Sequence, residues 1–194
     1  MVKSIHSIIS WRRIVVSLNT PLCNFGWHAR DFNLLGVDGQ YWNLSKVKGS
    51  NGMLIMFICN HCPYVKAILP RLVNDLAELQ KIGINTAAIS TNDVVNYPED
   101  SYLNMQKISK EQRFPFPYLL DDSQETAKEY QAICTPDFFG FNASLELQYR
   151  GRFDSTGRGD PPPNNKRDLY EGMKLIATTQ QGPQEQFSSI GCSI

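Results

Sequence analysis

The stretch Met53-Leu54-Ile55-Met56-Phe57-Ile58, followed directly by Cys59-Asn60-His61-Cys62 and Pro63, decides the fold. Six consecutive apolar residues without alternation are typical of a central strand that is covered on both faces. Proline is favoured in the first turn of a helix, so we expect a helix to begin at Pro63. The two cysteines are therefore predicted to lie where a buried strand ends and a helix begins.

The predicted helix carries apolar residues at helical spacing. They are Val65, Ile68, Leu69, Leu72, Val73, Leu76 and Leu79. Pro70 falls inside this helix and is expected to kink it.

Elsewhere the pattern alternates between strands and helices. We predict strands at 31–35, 41–44, 84–90, 116–120, 137–142 and 146–149. We predict helices at 101–109, 123–130 and 168–178. Val37-Asp38-Gly39-Gln40 should form the turn of an N-terminal β-hairpin, since Asp-Gly tolerates a positive φ. Strands alternating with helices indicate an α/β layer fold.

The two ends of the chain are predicted to lack regular packing. Residues 1–24 are interpreted as a poorly ordered extension and residues 25–194 as one domain, with a polar, irregular tail from Gln180. The apolar stretch Ile14-Val15-Val16-Ser17-Leu18 is too short for a signal peptide, so we expect a cytoplasmic protein. The extension is basic, with no acid before Asp31, and this leaves a targeting role open.

Composition narrows the classes of partner. The chain has 194 residues, 42% of them hydrophobic, and its 19 basic and 19 acidic side chains give a net charge of +0. A neutral chain does not indicate nucleic acid or an acidic membrane as a partner, and no apolar run reaches the length of a bilayer span. The five cysteines cannot all pair within the chain, and their spacing is not that of a disulfide scaffold. This usage favours a reactive pair in a mostly reduced compartment.

The predicted strand–helix junction suits thiol chemistry. Helix N-terminal N–H groups and the helix dipole stabilise a negative charge, and the thiolate is the reactive form of cysteine. We expect Cys59 to be the exposed nucleophile and Cys62 to form a disulfide with it. Asn60 and His61 are expected to tune the pair, because a cationic imidazole would stabilise the Cys59 thiolate. The redox potential of the pair should then be less negative than that of thioredoxin, which is about −270 mV.

Two other interpretations of the cysteines are weaker. A Cys-x-x-Cys pair can be half of a zinc site, but His6, His28, Cys134 and Cys192 are scattered and form no second pair. Inert core cysteines would not be expected beside Asn, His and Pro at a strand–helix junction. We therefore expect redox chemistry with neither a metal nor an organic cofactor.

The stretch Met56-Phe57-Ile58-Cys59-Asn60-His61-Cys62-Pro63-Tyr64-Val65-Lys66 resembles the peroxiredoxin-like subfamily of the AhpC/TSA and thioredoxin-like superfamily. Supporting stretches lie at 88–93, 97–101, 117–121, 134–139 and 191–194. The resemblance implies a thioredoxin fold, with a central mixed β-sheet flanked by helices, an N-terminal β-hairpin and a peroxiredoxin-type insertion. It also implies that Thr135-Pro136 is a cis-proline loop facing the cysteines, where a substrate segment could pair with Thr135. Without the resemblance, Pro136 would be interpreted as an ordinary trans proline.

The peroxidase motif of the resembled family can be tested on this sequence. Typical peroxiredoxins carry Pro-x-x-x-Thr/Ser-x-x-Cys, and placing Cys62 at the last position puts Cys59 and Ile55 where Thr/Ser and Pro should be. The arginine that polarises the peroxide would fall near Cys134, where no arginine stands. Substitutes from elsewhere in the fold would have to be Arg113, Arg150 or Arg152.

Three functions remain after this comparison. The leading one is a thiol–disulfide oxidoreductase in redox homeostasis, acting on protein or small-molecule disulfides, with a thioredoxin-type protein as a candidate reductant. The second is a thiol peroxidase with Cys62 as the peroxidatic residue; the third is a redox-inactive binding module. Cys134 and Cys192 are possible accessory thiols, and Cys23 is expected to be structural or idle. The sequence does not indicate the oligomeric state.

Overall fold

The computed structural model describes residues 17–194, and a seven-stranded mixed sheet forms its centre. The strands are β2 (Leu34–Gly36), β3 (Tyr41–Trp42), β4 (Gly52–Phe57), β5 (Ile84–Ser90), β6 (Tyr118–Leu120), β8 (Asp137–Asn142) and β9 (Leu147–Tyr149). Their order across the sheet is β3-β2-β6-β5-β4-β8-β9. Strand β4 lies between the parallel β5 and the antiparallel β8, which confirms the prediction of a central strand.

A second, three-stranded sheet joins the two ends of the chain. It consists of β1 (Ser17–Asn19), β10 (Ile190–Ser193) and β7 (Cys134–Thr135), in the order β1-β10-β7. The prediction of an irregular tail from Gln180 is therefore wrong for Ile190–Ser193. The polar composition of the tail concealed a strand whose partners lie far away in the sequence. Of the predicted extension 1–24, residues 1–16 lie outside the described residues.

Within residues 17–194, five α-helices and one short 3-10 helix connect the strands. The α-helices are α1 (Leu44–Val47), α2 (Pro63–Lys81), α3 (Tyr102–Glu111), α4 (Glu125–Tyr130) and α5 (Asp168–Thr179), and the 3-10 helix spans Pro98–Asp100. Helix α2 begins at the predicted residue and contains Pro70. The return strand of the hairpin is shorter than predicted because Asn43 caps α1, where its side chain accepts a hydrogen bond from the Lys46 N–H at 3.1 Å. None of the described helices has the length and hydropathy needed to cross a membrane.

The core has two layers, one on each face of β4. Leu54 and Met56 pack on the side of α2 and α5, whereas Ile55 and Phe57 pack on the opposite side with α1 and α4. All four side chains are completely buried. Burial of apolar surface stabilises the fold by about 25 cal/mol per Å². Burial on both faces therefore holds β4 in one position, and the end of the strand determines where Cys59 lies.

Candidate functional site

The cysteine pair lies at the predicted junction. Cys59 follows two residues after the end of β4, and Cys62 is the N-cap residue of α2. The expectation that Cys59 is exposed is wrong, because Cys59 is 1% and Cys62 0% exposed. The junction lies beneath loop residues and the small sheet rather than at the surface. All five cysteines are free thiols.

The two sulfurs have different partners. Cys59 Sγ lies 3.5 Å from His61 Nδ1 and 3.3 Å from Thr135 Oγ1. Cys62 Sγ donates to the carbonyl oxygen of Thr135 at 3.0 Å and lies 3.1 Å from Cys192 Sγ. Thr135 thus contacts both sulfurs, one through its side chain and the other through its backbone.

Asp100, at the end of the 3-10 helix, holds the loop between the cysteines. Its Oδ1 accepts the backbone N–H of Asn60 at 2.7 Å and that of His61 at 3.1 Å. Its Oδ2 lies 2.6 Å from His61 Nδ1. Asp100 is completely buried, and sequence reasoning did not identify it as a site residue. The only signal was its place in the 97–101 stretch of the family resemblance.

Asn60 anchors the loop on its other side. Its Nδ2 donates to the carbonyl oxygen of Glu99 at 2.9 Å, and its Oδ1 accepts from Tyr118 Oη at 3.1 Å. Neither bond reaches a sulfur. These side-chain hydrogen bonds of Asn60 support a positioning role, where the sequence predicted a tuning role.

The pKa of His61 is shifted in the direction of the cation that the sequence predicted. The hydrogen bond to Asp100 raises the pKa of His61, against the opposing effect of its burial. The imidazole ring stacks on Tyr97, with centroids 4.1 Å apart and an interplanar angle of 5°. Asp100 therefore favours the charged form of His61, whose Nδ1 contacts both Cys59 Sγ and the Asp100 carboxylate.

The two cysteines have pKa values that are shifted in opposite directions. The hydrogen bond from Cys59 lowers the pKa of Cys62 to about 4, with further help from Thr135, Cys192 and the Val65 N–H. The same hydrogen bond, together with burial and the Asp100 charge, raises the pKa of Cys59. This corrects the expectation that Cys59 carries the lowered pKa. The physical reason is that Cys62 caps the N-terminus of α2 among donors, whereas Cys59 faces a buried carboxylate.

The Thr135–Pro136 peptide bond is cis, as the resemblance implied. The backbone of Thr135 is, however, not open to a substrate, because Cys192 of β10 pairs with it in antiparallel register. The expected substrate groove at Thr135 is therefore filled by the C-terminal strand of the same chain. Beside it, a cavity of about 310 Å³ is lined by residues that include Tyr64, Pro136 and Ile190.

Comparison with known proteins places this site in a family. The sequence profile of the AhpC/TSA family matches residues 25–153. The chain belongs to the AhpC/TSA family. Among curated proteins, none matches it.

Three solved structures are similar to this AhpC/TSA protein. An uncharacterized conserved protein from Geobacillus kaustophilus has 38% identity and a TM-score of 0.87, covering 92% of this chain and 95% of that chain. A hypothetical protein from Sinorhizobium meliloti has 32% identity and a TM-score of 0.81, covering 93% and 97%. The thioredoxin domain of a thiol-disulfide oxidoreductase from Bacteroides vulgatus has 15% identity and a TM-score of 0.61, covering 79% and 97%. Together with the family match, these likenesses show a thioredoxin-like fold and a redox function in general.

The arginines proposed as peroxide-polarising substitutes lie elsewhere in this AhpC/TSA chain. Arg150 is buried and bonded to Asp137 at 3.0 Å, and Arg152 is bonded to Asp168 at 2.6 Å. Arg113 is exposed after α3. None of the three guanidinium groups is hydrogen-bonded to Cys59 or Cys62, so they do not replace the missing peroxidase arginine in this conformation.

The remaining cysteines separate into two groups. Cys192 reaches the pair, as described above. Cys134 is buried on β7, with its Sγ 3.7 Å from the Pro136 carbonyl oxygen, and burial raises its pKa. Cys23 is half-buried, and burial raises its pKa to about 11. A high pKa makes Cys134 and Cys23 weak nucleophiles at neutral pH.

One cluster in the described part of the chain has metal-ligating side chains. Ligand atoms of Cys59, His61 and Asp100 lie within 4.8 Å of one another. Ligands on a tetrahedral zinc would stand about 3.3 Å apart, whereas His61 Nδ1 and Asp100 Oδ2 are at hydrogen-bond distance, 2.6 Å. Asp100 Oδ1 is also committed to two backbone N–H groups. The cluster is therefore accounted for by hydrogen bonding.

Proposed function

We propose that this AhpC/TSA protein is a thiol–disulfide oxidoreductase that uses Cys59 and Cys62. One observation carries the proposal: two free cysteines lie side by side after the end of β4, and Thr135 contacts both of their sulfurs. The pKa values of the two thiols are shifted in opposite directions, which favours one thiolate with a thiol beside it. Thiol–disulfide exchange through a mixed disulfide requires these two groups.

In the proposed reaction, a proton first moves from Cys59 to Cys62, and Cys59 then begins the exchange. The Cys62 thiol donates to the Thr135 carbonyl, and the negative charge on Cys59 faces Thr135 Oγ1 and His61. The Cys59 thiolate attacks a substrate disulfide, forms a mixed disulfide and releases the first substrate thiolate. Cys62 then loses its proton and attacks Cys59, which forms the Cys59–Cys62 disulfide and releases the second substrate thiolate.

The charge at His61 is expected to set the redox potential. A cation beside the sulfur stabilises the reduced, thiolate form and makes the disulfide a stronger oxidant. The buried Asp100 carboxylate opposes this effect on Cys59. We therefore propose a potential that is less negative than the roughly −270 mV of thioredoxin but short of DsbA at about −120 mV.

The proposed substrates are protein or small-molecule disulfides, and a thioredoxin-type protein is the proposed reductant. Both sulfurs are buried, so exchange requires a local opening around them. The cavity beside Pro136 adjoins the small sheet that covers the pair, because Ile190 of β10 is one of its lining residues. Its lining mixes aromatic, polar and charged side chains, which fits a peptide segment better than a purely apolar ligand.

A thiol peroxidase is the second candidate, and one observation favours it. Cys62 stands at the peroxidatic position of the resembled family, and its pKa is lowered to about 4. A peroxide also needs donors aimed at the charge that develops on the leaving oxygen. The arginines considered for that role are bonded to Asp137 and Asp168 or lie at the surface. This candidate therefore ranks below disulfide exchange.

A comparison of single variants tests the proposal. Insulin disulfide reduction and peroxide consumption would be measured for wild type, Cys59→Ser, Cys62→Ser and the control Cys23→Ser. We expect the rate of insulin reduction to fall by roughly 100-fold or more in each site variant, since both thiols are needed for turnover. Cys23→Ser should keep the wild-type rate.

Two outcomes would contradict the proposal. Fast peroxide consumption that survives Cys59→Ser and disappears with Cys62→Ser would establish the peroxidase instead. A Cys59–Cys62 pair that fails to oxidise at any accessible potential would favour a redox-inactive binding module.

A further inference from the structure

A third sulfur lies in the cysteine pair's surroundings. Cys192 Sγ is 3.1 Å from Cys62 Sγ, and Cys192 is 1% exposed. The two residues are separated by 130 positions in the sequence. Cys62 therefore has a thiol neighbour on each side: Cys59 from its own motif and Cys192 from the C-terminal strand.

Backbone pairing holds Cys192 in this place. Residue 192 pairs with Thr135 and residue 193 with Cys134, so the register of β10 fixes which side chain meets the pair. Gly191 permits the close approach, since a Cβ at this position would lie 2.2 Å from the Thr135 carbonyl oxygen. Ser189 Oγ donates to the carbonyl oxygen of Pro136 at 2.8 Å and anchors the segment before the strand.

The resting state of Cys192 is a thiol that faces Cys62. Burial, followed by the hydrogen bond to Cys62, raises the pKa of Cys192 to about 12. Oxidation of Cys62 would remove the Cys62 thiolate, which is one of the groups that hold the proton on Cys192. Arg158 acts in the opposite direction and favours the Cys192 thiolate. Cys192 is thus a weak nucleophile beside a reduced pair and a better one beside an oxidised pair.

We propose that Cys192 is a third redox cysteine, which exchanges with the Cys59–Cys62 disulfide by attacking Cys62. The proposal rests on the function proposed above, because that reaction forms the disulfide. Cys192 loses its proton and its sulfur bonds to Cys62 Sγ. The Cys59–Cys62 bond breaks, and Cys59 leaves as a thiolate that can take up the proton. The step is isoelectronic: one disulfide replaces another, with no external oxidant or reductant.

This exchange would have a structural consequence. A Cys62–Cys192 disulfide would tie β10 covalently to the start of α2 and would return Cys59 to its free form. Cys59 could then meet a second substrate or the reductant while the oxidising equivalent is stored between Cys62 and Cys192. Cys134 is not placed for this role, because its Sγ donates to the Pro136 carbonyl oxygen.

The test removes Cys59 and asks whether Cys62 and Cys192 pair. Full-length Cys59→Ser would be reduced, oxidised with glutathione disulfide, quenched in acid, alkylated with N-ethylmaleimide and digested with trypsin without reduction. Trypsin leaves Cys62 in peptide 49–66 and Cys192 in peptide 175–194. We expect more than about half of the chains to link these two peptides, since attack on a glutathionylated Cys62 is intramolecular.

Matched variants give the controls. In the Cys59→Ser background, a further Cys134→Ser change should leave the link intact, whereas Cys192→Ala should abolish it and leave Cys62 glutathionylated. Wild type oxidised in the same way should show the 49–66 to 175–194 link beside the internal Cys59–Cys62 disulfide, and this measurement does not depend on a variant folding.

The outcomes separate this inference from the proposed function. Active wild type without the 49–66 to 175–194 link, together with Cys59→Ser in which Cys62 stays glutathionylated, would overturn the role of Cys192 alone. Wild type that neither reduces insulin nor forms the Cys59–Cys62 disulfide would overturn the proposed function, and with it the proposed role of Cys192.

Discussion

The surroundings of Cys59 and those of Cys62 are built in different ways. Cys59 faces an electrostatic cluster, in which His61 bonds to the buried carboxylate of Asp100. Cys62 faces β-structure, namely the Thr135 carbonyl and Cys192 on the C-terminal strand. We infer that the charges of His61 and Asp100 control the reactivity of Cys59, whereas the pairing of the C-terminal strand β10 controls access to Cys62.

The largest effect is expected from removing the carboxylate on the Cys59 side. Asp100→Ala leaves the buried N–H groups of Asn60 and His61 without their acceptor, and we expect the free energy of unfolding to fall by about 2–4 kcal/mol. Denaturant titration followed by circular dichroism measures this loss. The exposed Asp122→Ala is the control and should change stability by less than about 0.5 kcal/mol. Equal stability of the two variants would show that Asp100 does not hold the loop.

A smaller effect is expected from crowding the Cys62 side. In Gly191→Ala, the new Cβ would meet the Thr135 carbonyl oxygen at 2.2 Å, so β10 must shift at a cost of about 1–3 kcal/mol. Hydrogen exchange should show faster exchange in β10 with little change in the buried strand β4. The neighbouring Ile190, which is 50% exposed, provides the control Ile190→Ala. Unchanged exchange at β10 in Gly191→Ala would mean that the strand is not held by this close approach.

The smallest effect is a pH dependence that belongs to the Cys59 side. Asp100 raises the pKa of His61 in the folded state, so the charged histidine stabilises the fold. This contribution is fully present below the unfolded pKa of about 6.5 and is lost as the pH rises through the higher folded value. Wild type should therefore exceed His61→Gln in stability by about 1 kcal/mol more at pH 5.5 than at pH 9.

Unfolding of both proteins under reducing conditions at several pH values gives the comparison. A stability difference that grows towards high pH would contradict the charged His61–Asp100 pair. His28→Gln serves as the control, because it makes the same change at a histidine that forms no ion pair with the described residues.

The amino-acid sequence alone predicted the central strand, the start of α2 and the position of the cysteine pair between them. Each depends on neighbouring residues: an unbroken apolar run, a proline that suits the first helical turn, and two cysteines three positions apart. The family resemblance added the cis bond before Pro136. These features are local, so the pattern of side chains along the chain is sufficient to find them.

Only the tertiary structure decided what surrounds each sulfur. Asp100 reaches the loop from 40 positions beyond Asn60, and Cys192 reaches Cys62 across 130 positions. Neither contact leaves a periodic or compositional signal in the sequence. A single acidic residue and a polar tail have the same local sequence pattern whatever distant residues they contact. Burial of the pair and the filling of the Thr135 groove both follow from long-range contacts of this kind.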